Sequence, residues 1–351
     1  MGHRREPADR RLAIGPANFA EQAYQWARAV ERHLELPAVS FALKPVPLRG
    51  RGFQFSAHHR IPHPRLMTPW GRAVRLNRIL HGATHLAVDG FIPLHRAGIA
   101  ADLARASRQG IRMALIAHGS DIRDPDAHMA RFGFSYYASA PNEWVDKLRR
   151  RSRRNRSIAV ALALPLFVST PDLLLDVPEA TWLPLSVDVE RWQAAHPALG
   201  GGTPTVLHRP SYSKPPIKGT DVIDPVLRNL AALGRIRYLA PEHVSHDAMP
   251  ELVGQADIVV DQIRTGSYGV AAVEGLAAGR LVIGFLGPAT RALMPEEPPI
   301  VDASPERFAA VMNGILDDPE TFSERAAAGP GFVRRWHDGA ASAAALKSFL
   351  A

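Results

Sequence analysis

Short apolar runs alternate along most of the chain with longer stretches in which apolar residues recur every three or four positions. The short runs read as strands buried on both faces and the 3.6-residue period between them as helices, so the pattern predicts parallel βαβ units. In the first half, strands are predicted at 12–15, 37–43, 85–88, 111–117, 160–168 and 181–183. A helix is predicted over 19–33, with Phe19, Ala23, Trp26, Ala27 and Val30 on one face. Residues 44–73, rich in Pro, Arg and His without a period, read as a long surface loop or irregular insertion. Their histidines, His58, His59 and His63, form no helical i,i+4 pair and have no carboxylate nearby, so solvated side chains are expected and not metal ligands.

From Ser186 the text SVDVERWQAAHPALGGGTP interrupts all periodicity with Pro and a Gly triplet, which marks an interdomain linker. The alternation then restarts, with strands at 205–208, 236–239, 258–261 and 281–284 and helices from Gly219, His246 and Val270. Helices at 305–316 and 339–350 close the chain. The fold class expected is α/β, two Rossmann-like doubly wound domains facing across a cleft. The division expected is 1–187 and 188–335, with a helix over 336–351 crossing back to the first domain.

Composition narrows the class. With 351 residues and 46% hydrophobic positions the chain can bury two cores. Without cysteine, disulfides and thiolate metal sites are excluded, which fits a reducing compartment. The start, MGHRREPADRRLAIG, has the charge of a secretory signal but not its apolar stretch, so a cytoplasmic protein is expected. Net charge is +8, and much of the excess lies in Lys147, Arg149, Arg150, Arg151, Arg153, Arg154 and Arg156. The apolar run that follows, 158–168, is broken by Pro165 and is shorter than a membrane span requires, so it reads as a buried strand.

Two segments carry the chemistry. In IVVDQIRTGSYGVAAVEGLAAGRLVIG (258–284) a strand ends at Asp261, a loop with Gly266, Ser267 and Gly269 follows, and a helix carries Glu274. Such a loop brings backbone N–H groups and a helix N-terminus to an anion, and a carboxylate one turn in can hold ribose hydroxyls. An ordinary helix start with turn glycines and a solvated Glu reads the same residues. In TPTVLHRPSYSKPPIKGT (203–220) a strand ends in a loop with Arg209, Lys214 and Lys218, and Lys218-Gly219-Thr220 opens a helix. Cations there would neutralise a leaving diphosphate, although lone surface lysines are common. Both segments fall at the C-terminal ends of parallel strands, where open α/β sheets bind ligands.

Taken together these segments resemble the retaining GT-B glycosyltransferases of the GT4 kind, also called group 1 glycosyltransferases. The resemblance rests on Arg209 with Lys218-Gly219, on Gly266-Ser267-Tyr268-Gly269-Val270 and on Glu274, and extends to His118-Gly119, Ser169-Thr170-Pro171-Asp172 and Trp182-Leu183-Pro184-Leu185. It implies a nucleoside-diphosphate-sugar donor, UDP- or GDP-linked, and transfer with retention and without metal or cofactor. Lys218, with Arg209 and Lys214, would contact the diphosphate. Glu274 would hold the ribose, the amides near Ser267, Tyr268, Gly269 and Val270 phosphate oxygens, and backbone groups at 241–244 the base. His118 and Asp121 would be catalytic, and Gly15, Asn18 and Arg123 would line the acceptor and sugar cleft. The family often carries a second glutamate eight positions before the conserved one; here that position is Gly266. That departure leaves room for a nucleotide-sugar-binding partner without transferase activity, and an epimerase shares the architecture.

His118-Gly119-Ser120-Asp121-Ile122-Arg123 is the densest polar cluster at an N-terminal strand end, and a structural histidine and a salt bridge of Asp121 with Arg123 read it equally well. Asp124-Pro125-Asp126 matches the Asp-x-Asp of metal-dependent transferases of another fold, and Ser211-Tyr212-Ser213-Lys214 an S-x-x-K without its partner motifs. Neither is expected to work as a site. The basic run 146–156 suits peripheral contact with anionic lipid at the inner face of the membrane, or a solvated helix end. No zinc finger or RNA-binding signature favours nucleic acid. The acceptor is left open among glycan, lipid-linked and small-molecule classes.

Overall fold

The computed structural model describes residues 10–43, 55–62, 68–95, 97–210, 215–241 and 244–351. The N-terminal lobe runs β1 (Leu12–Gly15), α1 (Gln22–Leu34), β2 (Ala38–Leu43), β3 (His59–Ile61), α2 (Pro69–Ile79), β4 (His85–Asp89), α3 (Ile99–Arg108), β5 (Arg112–Ala117), α4 (Pro125–Arg131), α5 (Asn142–Ala161), β6 (Leu166–Val168) and β7 (Thr181–Trp182). The C-terminal lobe adds α6 (Val189–Trp192), β8 (Thr205–His208), α7 (Thr220–Ala232), β9 (Arg237–Leu239), α8 (Met249–Gln255), β10 (Ile258–Val260), α9 (Val270–Ala277), β11 (Leu281–Gly284), α10 (Pro288–Ala292), β12 (Ile300–Asp302), α11 (Phe308–Asp317), α12 (Ser323–Trp336) and α13 (Ala340–Leu350).

All strands pair in parallel, in the orders β3-β2-β1-β4-β5-β6-β7 and β12-β11-β10-β8-β9. Each order reverses direction once, between β1 and β4 and between β8 and β10, and that switch point opens a crevice at the strands' C-terminal ends. The inner strands, such as β1, β4, β8, β10 and β11, are short and buried along their length because helices cover both faces, whereas the outer strands β3, β7 and β9 carry polar and exposed residues.

The chain crosses between the lobes twice, and both crossings are packed. Around Pro184–Val187, Trp26 Nε1 donates to the Pro184 carbonyl at 2.8 Å and Gln22 exchanges two bonds with Ser186. Val189 and Trp192 of α6 are buried in the C-terminal core. The segment read as a linker is therefore pinned, because apolar residues at helical spacing interrupt its Gly and Pro. On the return, α13 buries Leu346, Phe349 and Leu350 among Leu12, Ile14, Trp26 and Phe167 of the N-terminal lobe.

Several expectations are corrected. The strand expected at 160–168 is confined to Leu166–Val168, because α5 continues through Ile158–Ala161. Residues 44–73 are not all loop: β3 pairs with β2 and α2 begins at Pro69 behind an N-cap Thr68. His58 is exposed, as expected, but its ring also bonds Ser40 at 3.0 Å, while His63 lies outside the described residues. Phe19 is 47% exposed and precedes α1, so it does not share the buried face of Ala23, Trp26, Ala27 and Val30.

Candidate functional site

At the C-terminal edge of the second sheet, β8 ends in His208, whose ring joins Val260 O through Nδ1 and Thr220 Oγ1 through Nε2, both at 2.9 Å. Burial, and then the Lys218 ammonium, hold its pKa down at about 4, so the ring is neutral and ties β8, β10 and the start of α7 together. Gly219, at φ +87°, caps α7 where a Cβ would lie 2.6 Å from Ile263. Only glycine lets this turn close against the loop after β10, and the closure puts Lys218 Nζ 3.3 Å from Asp261 Oδ1. Ile263 N donates to Lys218 O at 3.0 Å, which fixes the two loops edge to edge. Beside them Arg209 Nη1 lies 3.2 Å from Glu274 Oε2, while His246 Nε2 stands 3.7 Å from the other oxygen. His246 Nδ1 in turn faces Glu21 of the N-terminal lobe at 4.0 Å.

Across the cleft, Asp89 at the end of β4 is fully buried. Its carboxylate accepts the amides of Ala17 at 3.1 Å and Asn18 at 2.7 Å and faces His118 Nε2 at 3.6 Å. The imidazole stacks on Trp26, with the Phe19 ring edge-on. Burial would lower its pKa, but Asp89, and then Asp121, outweigh burial and hold it above the ordinary 6.5.

A cavity of about 390 Å³ separates these surfaces. Phe19, Ala20, His118, Gly119, Ser120, Asp121, Arg123, Ser169 and Thr170 line one side and Ile217, Gln262, Thr265, Gly269 and Val270 the other. All of them follow strand ends, so the two sheets open onto one crevice. Arg151 of α5 reaches its mouth.

A third contact closes the crevice at one end. The Phe132 ring, after α4, fills a socket between Gly266 and Gly287, where added Cβ atoms would lie 2.5 and 2.7 Å from it. Phe285 meets it edge-on, and His128 Nε2 donates to Thr265 O at 3.1 Å. Burial, then Arg123, lowers the His128 pKa to about 4, which keeps this contact neutral. The space beside Gly266 thus holds an aromatic ring from the opposite lobe.

The structure brings Arg209, Lys218, Gly269, Val270 and Glu274 to the same corner, whereas Lys214 and Ser211 lie outside the described residues, as do 242 and 243 of the segment expected to meet a base. Other readings change. The Gly269 amide does not point free at an anion: it donates to Asp261 Oδ2 at 2.6 Å. The Tyr268 side chain, as distinct from the amide expected to meet phosphate, is in the core: its hydroxyl meets His337 Nε2 at 3.0 Å, and His337 Nδ1 donates to Leu185 O at 2.7 Å, so the tyrosine pins the lobe crossing. Ser267 O accepts from Gln262 and Thr265, while its buried hydroxyl has no hydrogen-bond partner among the described residues.

Asp121 and Arg123 do not pair with each other. Asp121 accepts the amides of His118 and Gly119, and Arg123 donates to Asp172 Oδ2 at 3.1 Å and to the Tyr136 hydroxyl at 3.2 Å. Asp121, expected to be catalytic, is thereby spent on its own loop. Asn18 is likewise spent, on Ser56 O, Asp89 and Tyr24 N, and Gly15 is packed against Phe41. Asp124 caps α4 and pairs with Arg156, and Asp126 pairs with Arg149, which explains their Asp-x-Asp spacing as an ion-pair network. Among the described residues no group of three or more His, Asp or Glu is placed to hold a metal.

Sequence reasoning missed Asp89, Asp261 and His246. The first two carried a signal: each is a lone acid closing an apolar strand, HLAVDG and IVVDQ. His246 had none, because its partners come from Glu274 and Glu21.

No family profile and no curated sequence relative matches the chain. Solved structures do. Sucrose-phosphate synthase from Thermosynechococcus elongatus aligns over 97% of this chain and 98% of that one, at TM-score 0.63 and 14% identity. HepE of Anabaena in complex with UDP-glucose aligns over 97% and 98%, at 0.58 and 12%. An α-glucosyltransferase in complex with UDP and a 13-mer DNA aligns over 97% and 99%, at 0.58 and 8%. Two parallel doubly wound sheets, their strand ends meeting at one crevice, thus give this chain the α/β fold of the GT-B glycosyltransferases.

Proposed function

We propose that the protein moves a sugar from a nucleoside-diphosphate-sugar, UDP- or GDP-linked, to an acceptor held against the N-terminal lobe. The observation that carries this reading is the pair of cation–carboxylate contacts, Arg209–Glu274 and Lys218–Asp261, side by side at the switch point of the second sheet. Arg209 and Lys218 side chains keep 21% and 25% of their exposure. Such cations can exchange a carboxylate for the oxygens of a diphosphate. Glu274, released from Arg209, would accept hydrogen bonds from ribose hydroxyls.

In the reaction the bond between the anomeric carbon and the phosphate oxygen breaks, and negative charge collects on the departing diphosphate, where Lys218 and Arg209 stabilise it. The acceptor oxygen bonds the anomeric carbon from the same face and gives its proton to the leaving phosphate, so configuration is retained without an enzyme nucleophile. The two cations serve in place of a divalent metal. His118, backed by Asp89, would hold a hydroxyl of the sugar or acceptor in the cleft.

A second reading, a nucleotide-sugar-binding partner without transferase activity, is favoured by one feature: Gly266 with Phe132 packed on it, where the resembled family carries a carboxylate. Calorimetry with UDP and GDP tests the shared part. Lys218→Ala and Glu274→Ala should each weaken binding by more than about 1 kcal/mol. Failure of the intact protein to bind UDP, GDP or ADP overturns both readings. Mass spectrometry of products then separates transfer from mere binding, and from release of free epimerised sugar.

A further inference from the structure

The seven cations of α5 divide by helical phase. Arg149, Arg153 and Arg156 share one side and are neutralised: Arg149 pairs with Asp126 and Asp146, Arg153 stands 3.7 Å from Asp126, and Arg156 lies 3.4 Å from Asp124 while bonding Ile122 O. Lys147, Arg150, Arg151 and Arg154 fall within about 100° of arc on the opposite side, over about 10 Å of helix. All four are exposed, and no described residue forms an ion pair with any of them. Nothing among the described residues accounts for this second row.

Its placement matters. Arg151 lines the mouth of the cleft, and Asn155, one turn on, donates to Asp121 O at 2.8 Å, so the helix is tied to the loop that carries His118. Leu162, three turns beyond Arg151 and on the same side, leaves 42% of its surface in water. Val160, on the neutralised side of the same last turn, leaves 71% of its surface in water. A row of cations on a helix whose end carries exposed apolar side chains suits the boundary of an anionic bilayer, where the apolar groups gain from insertion; against a nucleic-acid backbone they gain nothing.

We propose that Lys147, Arg150, Arg151 and Arg154 dock the protein on an anionic lipid surface. Docking brings the cleft mouth at Arg151 to the membrane, so the acceptor is membrane-borne; this last part rests on the transferase reading, whereas the docking does not.

The full chain is tested by co-sedimentation with vesicles of phosphatidylcholine alone and with about a third phosphatidylglycerol. Binding should require the anionic lipid and fall with added salt. Combining Lys147→Glu, Arg150→Glu and Arg154→Glu should weaken partitioning roughly a hundredfold or more, and Arg151→Ala alone about fivefold. The triple variant's affinity for UDP should stay unchanged. A control with the same change of charge elsewhere, Arg32→Glu, Arg75→Glu and Arg108→Glu, should bind vesicles within a few-fold of the parent.

Equal loss in the triple variant and the control overturns the proposal, as does equal binding to neutral vesicles or stronger binding to a DNA duplex at the same salt. Vesicle binding without any binding of UDP or GDP leaves the docking standing and removes the donor-site reading instead.

Discussion

Asp89 at the end of β4 and Asp261 just after β10 occupy equivalent corners of the two lobes, each across the switch point from its lobe's first strand. Each is buried and faces a basic side chain; Asp89 accepts two amides of a neighbouring loop and Asp261 one. The partners differ. Asp89 faces His118, enclosed by Trp26 and Phe19, whereas Asp261 faces the half-exposed Lys218 with Arg209 and Glu274 alongside. The same turn architecture therefore holds a buried carboxylate against an enclosed imidazole in one lobe and against a partly exposed cation in the other. Partial exposure of Arg209 and Lys218 distinguishes the second corner, whereas Asp121, Arg123 and Asn18 in the first are committed to contacts within their own lobe.

The largest test of this contrast is Arg123→Leu. It leaves Asp172 buried and unpaired and should cost about 3–5 kcal/mol in urea unfolding. Unchanged stability with lost ligand binding would instead place Arg123 among the ligand-ready groups.

Next in size is titration. His208 sits at about 4, held there by burial and Lys218. The unfolded ring takes up its proton near 6.5, so the stability His208 contributes is complete above that value. It is lost as pH falls towards 4, on the order of 3 kcal/mol for this group. His118 has the opposite sign: its raised pKa contributes stability that is complete below 6.5 and lost as pH rises through the folded value. Ring-proton NMR of the two histidines checks both, and a shift of the same sign in the two lobes would end the contrast.

Gly287→Ala should follow at about 1–3 kcal/mol, since Gly287 has ordinary extended backbone and the Phe132 ring alone obstructs its Cβ. Pairing it with Phe132→Ala should recover part of that loss in thermal unfolding. Additive losses would mean that the socket does not hold the lobes. The finest probe is Asp89→Asn, which should lower the His118 pKa while leaving UDP affinity as it was; a change in that affinity would couple the two corners.

Much of the fold was legible because both sheets are covered on both faces, so β1, β4, β5, β8, β10 and β11 are apolar runs that can be read one at a time. Failures came where local signals conflict with packing. The last turn of α5 reads as strand because Ile158–Ala161 is apolar and contains the β-branched Ile158 and Val160. The helix α12 hides behind Pro330 and the two glycines that flank it, Gly329 and Gly331, and β12 is only three residues long. At the site, Lys218-Gly219 and Glu274 were legible because a strand end, a glycine and a helix start are local features. The partners of Asp121 and Arg123 were not, since Asp172 and Tyr136 approach from other elements.

By itself the sequence determined the two βα series, the break near residue 186 and the glycine-bearing turns that bring backbone and cations to strand ends. Each depends on residues within a turn or two of one another. Only tertiary structure decided which charges remain available. That choice is made by contacts over long separations, such as Arg209 with Glu274, Phe132 with Gly266 and Gly287, and the neutralised against the open row of α5. An ionic side chain is free or spent according to what burial and folding set within a few ångströms of it, and a one-dimensional pattern does not encode that distance.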